Sequence, residues 1–223
     1  MSILVELDGR RLGDSADSLE AALGLVRTAC PQGRVVVEVE GDGRPIEPAV
    51  LNDPTRAGSY STVKVRTGDA GQLVRDSLLQ AADMVREQGP RHTQTAELIH
   101  TARMHEAITE LGELMGGWEQ AKRVVDLATA LTPRATEVTS CGGAVGVGLW
   151  LDDAAAELSV RLNDIKSALA SDDWSALADV LGGDMPGLSE RWATLLGEMA
   201  IYSTDGPEAR GPSGVATVAA QER

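Results

Sequence analysis

The stretch Tyr60-Ser61-Thr62-Val63-Lys64-Val65-Arg66-Thr67-Gly68-Asp69-Ala70-Gly71-Gln72-Leu73-Val74-Arg75-Asp76-Ser77-Leu78 changes rhythm near Gly68. Up to Arg66, Val63 and Val65 alternate with Thr62, Lys64 and Arg66, the period-two pattern of a strand with one buried face. From Asp69 onward Leu73, Val74, Leu78, Ala81 and Val85 recur at the three- and four-residue spacing of an amphipathic helix. Strand-like patterning fills the chain before this point, and helical patterning continues almost to Tyr202. These patterns predict an α+β protein with three parts: a small sheet-forming N-terminal domain over residues 1–67, an antiparallel helical bundle over 68–202, and a tail over 203–223. The tail is rich in Gly, Pro, Ser and Ala, a composition that predicts disorder.

Within the first part, Ile3-Leu4-Val5-Glu6-Leu7 reads as a strand, Asp8-Gly9 as a hairpin turn and Arg10-Arg11-Leu12 as the return. Asp17 or Ser18 then caps a helix whose apolar face is Leu19, Leu23 and Val26, ended by Pro31-Gln32-Gly33. A second hairpin follows: Val35, Val37 and Val39 alternate with Val36, Glu38 and Glu40, Asp42-Gly43 turns, and Arg44-Pro45-Ile46 starts back. A Pro/Asn/Asp-rich crossing over 48–58 leads to the last strand at Tyr60–Arg66. The order strand, strand, helix, strand, strand, short crossing, strand resembles the β-grasp layout of ubiquitin-like domains. That resemblance implies one helix packed across a mixed sheet; a plain α+β sandwich with another strand order fits the same elements.

Gly89-Pro90 is expected to end the first bundle helix. The second carries Met104, Ile108, Leu111, Met115 and Trp118 at 4-3-4-3 spacing, a bundle seam, and Gly116-Gly117 is expected to kink or break it. A third stretch, Trp118 to Leu131, stops at Thr132-Pro133, and residues 133–147 read as a loop. Leu149 to Ala170 forms the next helix through Leu151, Ala155, Leu158, Leu162, Ile165 and Leu169. Ser171-Asp172-Asp173 caps a short helix from Trp174 to Leu181, and beyond Gly182-Gly183 and Pro186 a final helix carries Leu188, Trp192, Leu195, Leu196 and Met199.

Composition narrows the function classes. The 223 residues are 43% hydrophobic, enough for one good core or two small ones. Thirty-four acidic against 20 basic residues give a net charge of −14, which repels a phosphate backbone and argues against nucleic-acid binding. No apolar run approaches the length of a membrane span and the N-terminus lacks a basic leader, so a cytoplasmic protein is expected. Cys30 and Cys141 match no metal or disulfide spacing and fit a reducing compartment. With no Phe, the four tryptophans Trp118, Trp150, Trp174 and Trp192 are the main aromatic mass, all in the second half.

The run Leu162-Asn163-Asp164-Ile165-Lys166-Ser167-Ala168-Leu169, then Asp173-Trp174-Ser175-Ala176-Leu177-Ala178-Asp179-Val180-Leu181, then Trp192, is similar to the ending of small uncharacterised bacterial proteins. Those proteins likewise join a short β-rich N-terminus to a helical C-terminus. The resemblance implies an association with motility or flagellar-assembly genes and carries no enzymatic residues. Gly182-Gly183-Asp184 stands here where those proteins place an aromatic and acidic pair.

Three constellations invite chemistry. Glu97-Leu98-Ile99-His100 has the Glu-x-x-His spacing of carboxylate-bridged di-metal bundles, yet neither His92 nor His105 supplies a second copy, and these residues read as a solvated polar face. Gly142-Gly143-Ala144-Val145-Gly146-Val147-Gly148 could present bare amides to an anion, but it lacks the order of a dinucleotide fingerprint and the Lys-Ser/Thr of a phosphate loop; a hinge is expected. Cys141 has no histidine nearby in sequence to activate it, and Asp152-Asp153 and Asp172-Asp173 read as helix-start charges. No catalytic residue, cofactor or metal is therefore assigned. The expectation is a non-catalytic protein that binds another protein, adaptor- or chaperone-like, through Met115, Trp118, Trp174, Leu177, Leu181 and Trp192. Adaptable Met and anchoring Trp suit a partner groove. The alternatives are a small-molecule or anion-binding enzyme using the 141–148 loop and a structural homo-oligomer.

Overall fold

The computed structural model describes residues 2–54, 59–132 and 151–203, and the chain divides into two compact units, Met1–Leu73 and Val74–Arg223. The first is a mixed sheet with a helix across it; the second is mostly helical. The expected loop at 133–147 and Gly-rich segment at 141–148 lie outside the described residues, as do Cys141, Trp150 and the tail from 204 onward.

In the first unit, β1 (Ile3–Leu7) and β2 (Arg10–Ala16) form a hairpin closed by Asp8 and Gly9, both at positive φ (48° and 76°). Asp-Gly supplies the two left-handed residues that a twist-matched two-residue turn requires. Helix α1 (Leu19–Ala29) starts at Ser18, whose hydroxyl accepts from the Ala21 amide at 3.2 Å and so satisfies one of the amides a helix start leaves open. Then come β3 (Arg34–Gly41), the two-residue β4 (Arg44–Pro45), the single-turn α2 (Pro48–Asn52) and β5 (Thr62–Asp69). The sheet order is β2-β1-β5-β3-β4, with β1 and β5 parallel at its centre and the other pairs antiparallel. Ile3, Val5 and Leu7 of β1 and Val63 and Val65 of β5 bury one face against Leu19, Ala22 and Val26 of α1. At other positions Lys64 of β5 pairs with Glu6 of β1, and Arg66 of β5 with Glu38 of β3.

The expected alternation fails in β3. A bulge between Val36 and Glu38 shifts the register against β5, so Val39 is buried while Val36 and Val37 stay exposed. An extra residue in one strand reverses which side chains face inward from there on.

The second unit, which begins within α3 (Ala70–His100), is built from that helix, α4 (Met104–Leu131), α5 (Leu151–Ala170), α6 (Trp174–Asp179), a π-helical turn (Val180–Asp184) and α7 (Met185–Ser203). Three expected boundaries are corrected. Helix α3 runs through Pro90 instead of ending there. The ring removes one backbone hydrogen bond, but His92, Thr95, Ala96 and Ile99 beyond it are all buried, and that burial holds the last turns helical. Helix α4 is continuous through Gly116-Gly117, so the expected second and third helices are one. A Cβ on Gly117 would lie 1.6 Å from Gln88 Nε2, whereas one on Gly116 would meet nothing within 4 Å among the described residues; Gly117 is bare because a buried amide of α3 rests on it. The Gly182-Gly183 break is a single wide turn leading into α7, with the Met185 amide donating to the Val180 carbonyl, and Pro186 sits in the first turn of α7, where its missing N–H costs little.

The seam of α4 also differs from expectation. Its buried residues are Ala107, Leu111, Leu114, Trp118, Ala121, Val125 and Ala128, an unbroken 4-3-4-3-4-3 repeat of the kind that packs along a bundle. Ile108 is exposed, and Met104 and Met115 are only partly buried. Helix α7 buries Leu188, Trp192, Leu195, Leu196 and Met199, as its spacing predicts. One core cluster draws on α3, α4, α5, α6 and α7. No described helix is long and apolar enough to cross a membrane.

Candidate functional site

Along α4 and α5 the second unit opens a groove of about 730 Å³, within the range of ligand and peptide pockets. Met115 and Trp118 line it from α4, Leu158, Leu162, Ile165 and Leu169 from α5, and Trp192 from α7. Met115 and Leu162 are partly buried and Leu169 is 37% exposed, while Trp118 and Trp192 are almost fully covered. Leu158 and Ile165 are covered as well, so they and the tryptophans form the floor, and the flexible side chains of Met115, Leu162 and Leu169 form the walls.

That floor is fixed by its polar edges. The Trp118 indole N–H donates to His92 Nε2 at 3.2 Å, and its ring stacks on His92 with centroids 6.3 Å apart. Trp192 meets Trp118 edge-on at 6.0 Å and donates its own N–H to the Ala154 carbonyl at 3.3 Å. Buried indoles seek such partners, and edge-to-face pairs are favoured by the ring quadrupoles. Ion pairs brace the surrounding helices: Arg91 holds Glu110 and Glu113 of α4, each at 2.6 Å, and Arg191 of α7 pairs with Glu157 of α5.

His92 was expected on a solvated face; it is fully buried behind the groove floor. Burial, with a smaller push from Arg91 against the pull of Glu110, lowers its pKa to about 4, because the charged imidazolium is poorly solvated there. The imidazole is neutral, and because Nε2 accepts from Trp118, the proton belongs on Nδ1. That Nδ1 and the Gln88 Oε1 one helical turn earlier both lack a hydrogen-bond partner among the described residues. No periodicity argument singles out His92; the signal available was its i, i+4 relation to Gln88 and i, i+3 relation to Thr95, a polar row on the face that meets α4.

Of the six residues expected to meet a partner, Met115, Trp118 and Trp192 come together in the groove. Leu177 and Leu181 are buried in the core, and Trp174 packs against that core partly covered, none of the three lining the groove. The α5 residues Leu158, Leu162, Ile165 and Leu169 take their place. Glu97, His100 and His105 are all exposed, and no group of three or more potential ligands that could hold a metal occurs among the described residues. Cys30 is partly buried, its thiol 3.6 Å from the Arg34 carbonyl.

The first unit has a smaller cleft of about 590 Å³ beside Asp8, Arg10 and Arg34. Two of its charges are already committed. The Asp8 carboxylate accepts from the Thr67 hydroxyl at 2.6 Å and amide at 2.8 Å, while Arg34 donates to the Thr67 hydroxyl at 2.6 Å and carbonyl at 2.8 Å. The hydrogen bonds from Thr67, with a lesser contribution from Arg34, hold the Asp8 carboxyl below its ordinary pKa. This network locks the β1–β2 turn to the end of β5 and is structural in character. Comparison of the chain with protein-family models, with curated proteins and with solved structures gives no match.

Proposed function

We propose that this protein is a non-catalytic binding protein, adaptor- or chaperone-like, that docks a helix of another protein in the α4–α5 groove. The observation that carries this reading is an open, apolar trough whose two-tryptophan floor is pinned by hydrogen bonds. A rigid aromatic floor with adaptable Met and Leu walls gives anchoring contacts at low ordering cost. In the same reading the first unit is a β-grasp-like domain, supported by the order β2-β1-β5-β3-β4 with parallel central strands and α1 across one face. The resemblance of residues 162–192 to proteins that accompany motility genes points the partner toward assembly machinery.

A photo-crosslinking amino acid placed at Leu169, on the groove wall, and separately at Glu20, an exposed residue of α1, tests this in the native cell. The expected result is a discrete adduct with one protein from position 169 and none from position 20. The same products from both positions, or none from 169, would refute the docking reading.

A further inference from the structure

Resting on that docking reading, we infer that the groove's occupant is an amphipathic helix whose apolar stripe is flanked by acidic side chains that meet Lys122 and Lys166.

The occupant's secondary structure follows from the walls. Both are helices, α4 and α5, whose mid-helix backbone groups are bonded within the helix itself. The groove therefore offers an incoming chain no row of free amides or carbonyls. An extended segment laid in it would bury its own backbone groups unpaired, whereas a helix satisfies its own and can cover the apolar floor. Helix α5 lines the groove from Ala155 to Ala170, about 22 Å at 1.5 Å per residue. That is room for roughly four turns of partner helix.

The charge preference follows from the rim. The chain has three lysines, Lys64, Lys122 and Lys166, and two of them border this groove, one on each wall. Lys166 makes no ion pair among the described residues. Lys122 is held by Asp126 at 2.7 Å, but both groups are well exposed, and such a pair is readily exchanged for another. Glu119, the sole carboxylate among the described lining residues, pairs with Arg123 at 3.6 Å in an equally exposed and exchangeable contact, so the lining sets two positive charges against one negative. Elsewhere the surface is dominated by acid, at a net charge of −14. A partner helix with acidic flanks gains attraction at this rim; one with basic flanks meets the lysines and loses it, which is how rim charge sets selectivity more than affinity.

The test uses the full-length protein and two labelled synthetic helices of about 18 residues, long enough to span four turns. They share one Leu/Ala face and carry either Glu or Lys on its flanks. Fluorescence anisotropy is expected to show the Glu peptide binding about tenfold tighter at low salt, with the preference collapsing in high salt as rim charges are screened. Lys122→Gln with Lys166→Gln, checked by circular dichroism, is expected to remove most of that preference while the Lys peptide binds as before or better. Equal affinity for both peptides, or an undiminished preference in the double variant, would overturn the charge inference and leave helix docking standing. Failure of both peptides to bind at about 100 μM, or light scattering and crosslinking that find a second copy of the chain in the groove, would overturn docking of a partner helix as well.

Discussion

His92 makes the stability of the helical unit depend on pH in a calculable way. Well above pH 6.5 the imidazole is neutral in both folded and unfolded chains and contributes no pH dependence. As pH falls below 6.5 the unfolded chain takes up a proton that the native state, with a pKa near 4, refuses, so stability declines until the native pKa is reached. The drop from 6.5 to about 4 corresponds to about 3 kcal/mol, of which about 2 kcal/mol is lost between pH 7 and pH 5. Urea unfolding followed by tryptophan fluorescence reads this directly, since every tryptophan belongs to the second unit. The control is His92→Gln, which keeps an acceptor for the Trp118 N–H but cannot titrate. All other groups are common to both proteins, so subtracting the variant's change from that of the wild type isolates His92. Parallel loss of stability in the two proteins between pH 7 and pH 5 would refute the burial of a neutral imidazole behind the groove.

Four further outcomes are expected. Gly116→Ala should stabilise the helical unit by about 0.5–1 kcal/mol through helix propensity. Gly117→Ala should destabilise it, because its methyl must displace the Gln88 amide from a packed site; equal effects in urea titrations would show that the two glycines are equivalent. Pro90→Ala should raise stability by about 1–3 kcal/mol, since Pro90 is exposed within α3 and alanine restores the missing backbone bond; an unchanged unfolding midpoint would contradict this. Thr67→Val removes the hydroxyl that donates to Asp8, so the Asp8 carboxyl titration followed by NMR should move up toward the ordinary carboxylate range, and an unmoved midpoint would assign its lowered pKa to another cause.

The boundary between sheet and helices was legible because two periods meet at one place: β5 ends at Asp69 and α3 starts at Ala70. Both Asp-Gly turns, the helix start at Asp17-Ser18 and the buried face of α7 were equally readable, since each is decided by residues within one turn of chain. What local reading missed was decided by partners distant in sequence. Pro90 and Gly116-Gly117 look like breaks, but the residues beyond each are buried, Ile99 after the proline and Trp118, Ala121 and Val125 after the glycines, and that burial keeps both helices running. The α4 seam passes through Ala107, Ala121 and Ala128, which carry little hydrophobic signal, and so the more apolar Ile108 and Met115 drew the predicted stripe to one side. The same displacement explains the candidate site. Met115, Trp118 and Trp192 were legible as a Met/Trp set, whereas the α5 wall was read only as a helical stripe, because a sequence does not say which of its apolar residues a neighbouring helix leaves uncovered.

The most direct test of the groove is side-chain NMR of the indole N–H groups during titration with the Glu-flanked peptide. The Trp118 and Trp192 signals, on the groove floor, are expected to shift progressively and saturate at one peptide per chain, with Trp174, which lies outside the lining, little changed. Saturable binding that moves Trp174 and leaves Trp118 and Trp192 in place would contradict docking in the α4–α5 groove.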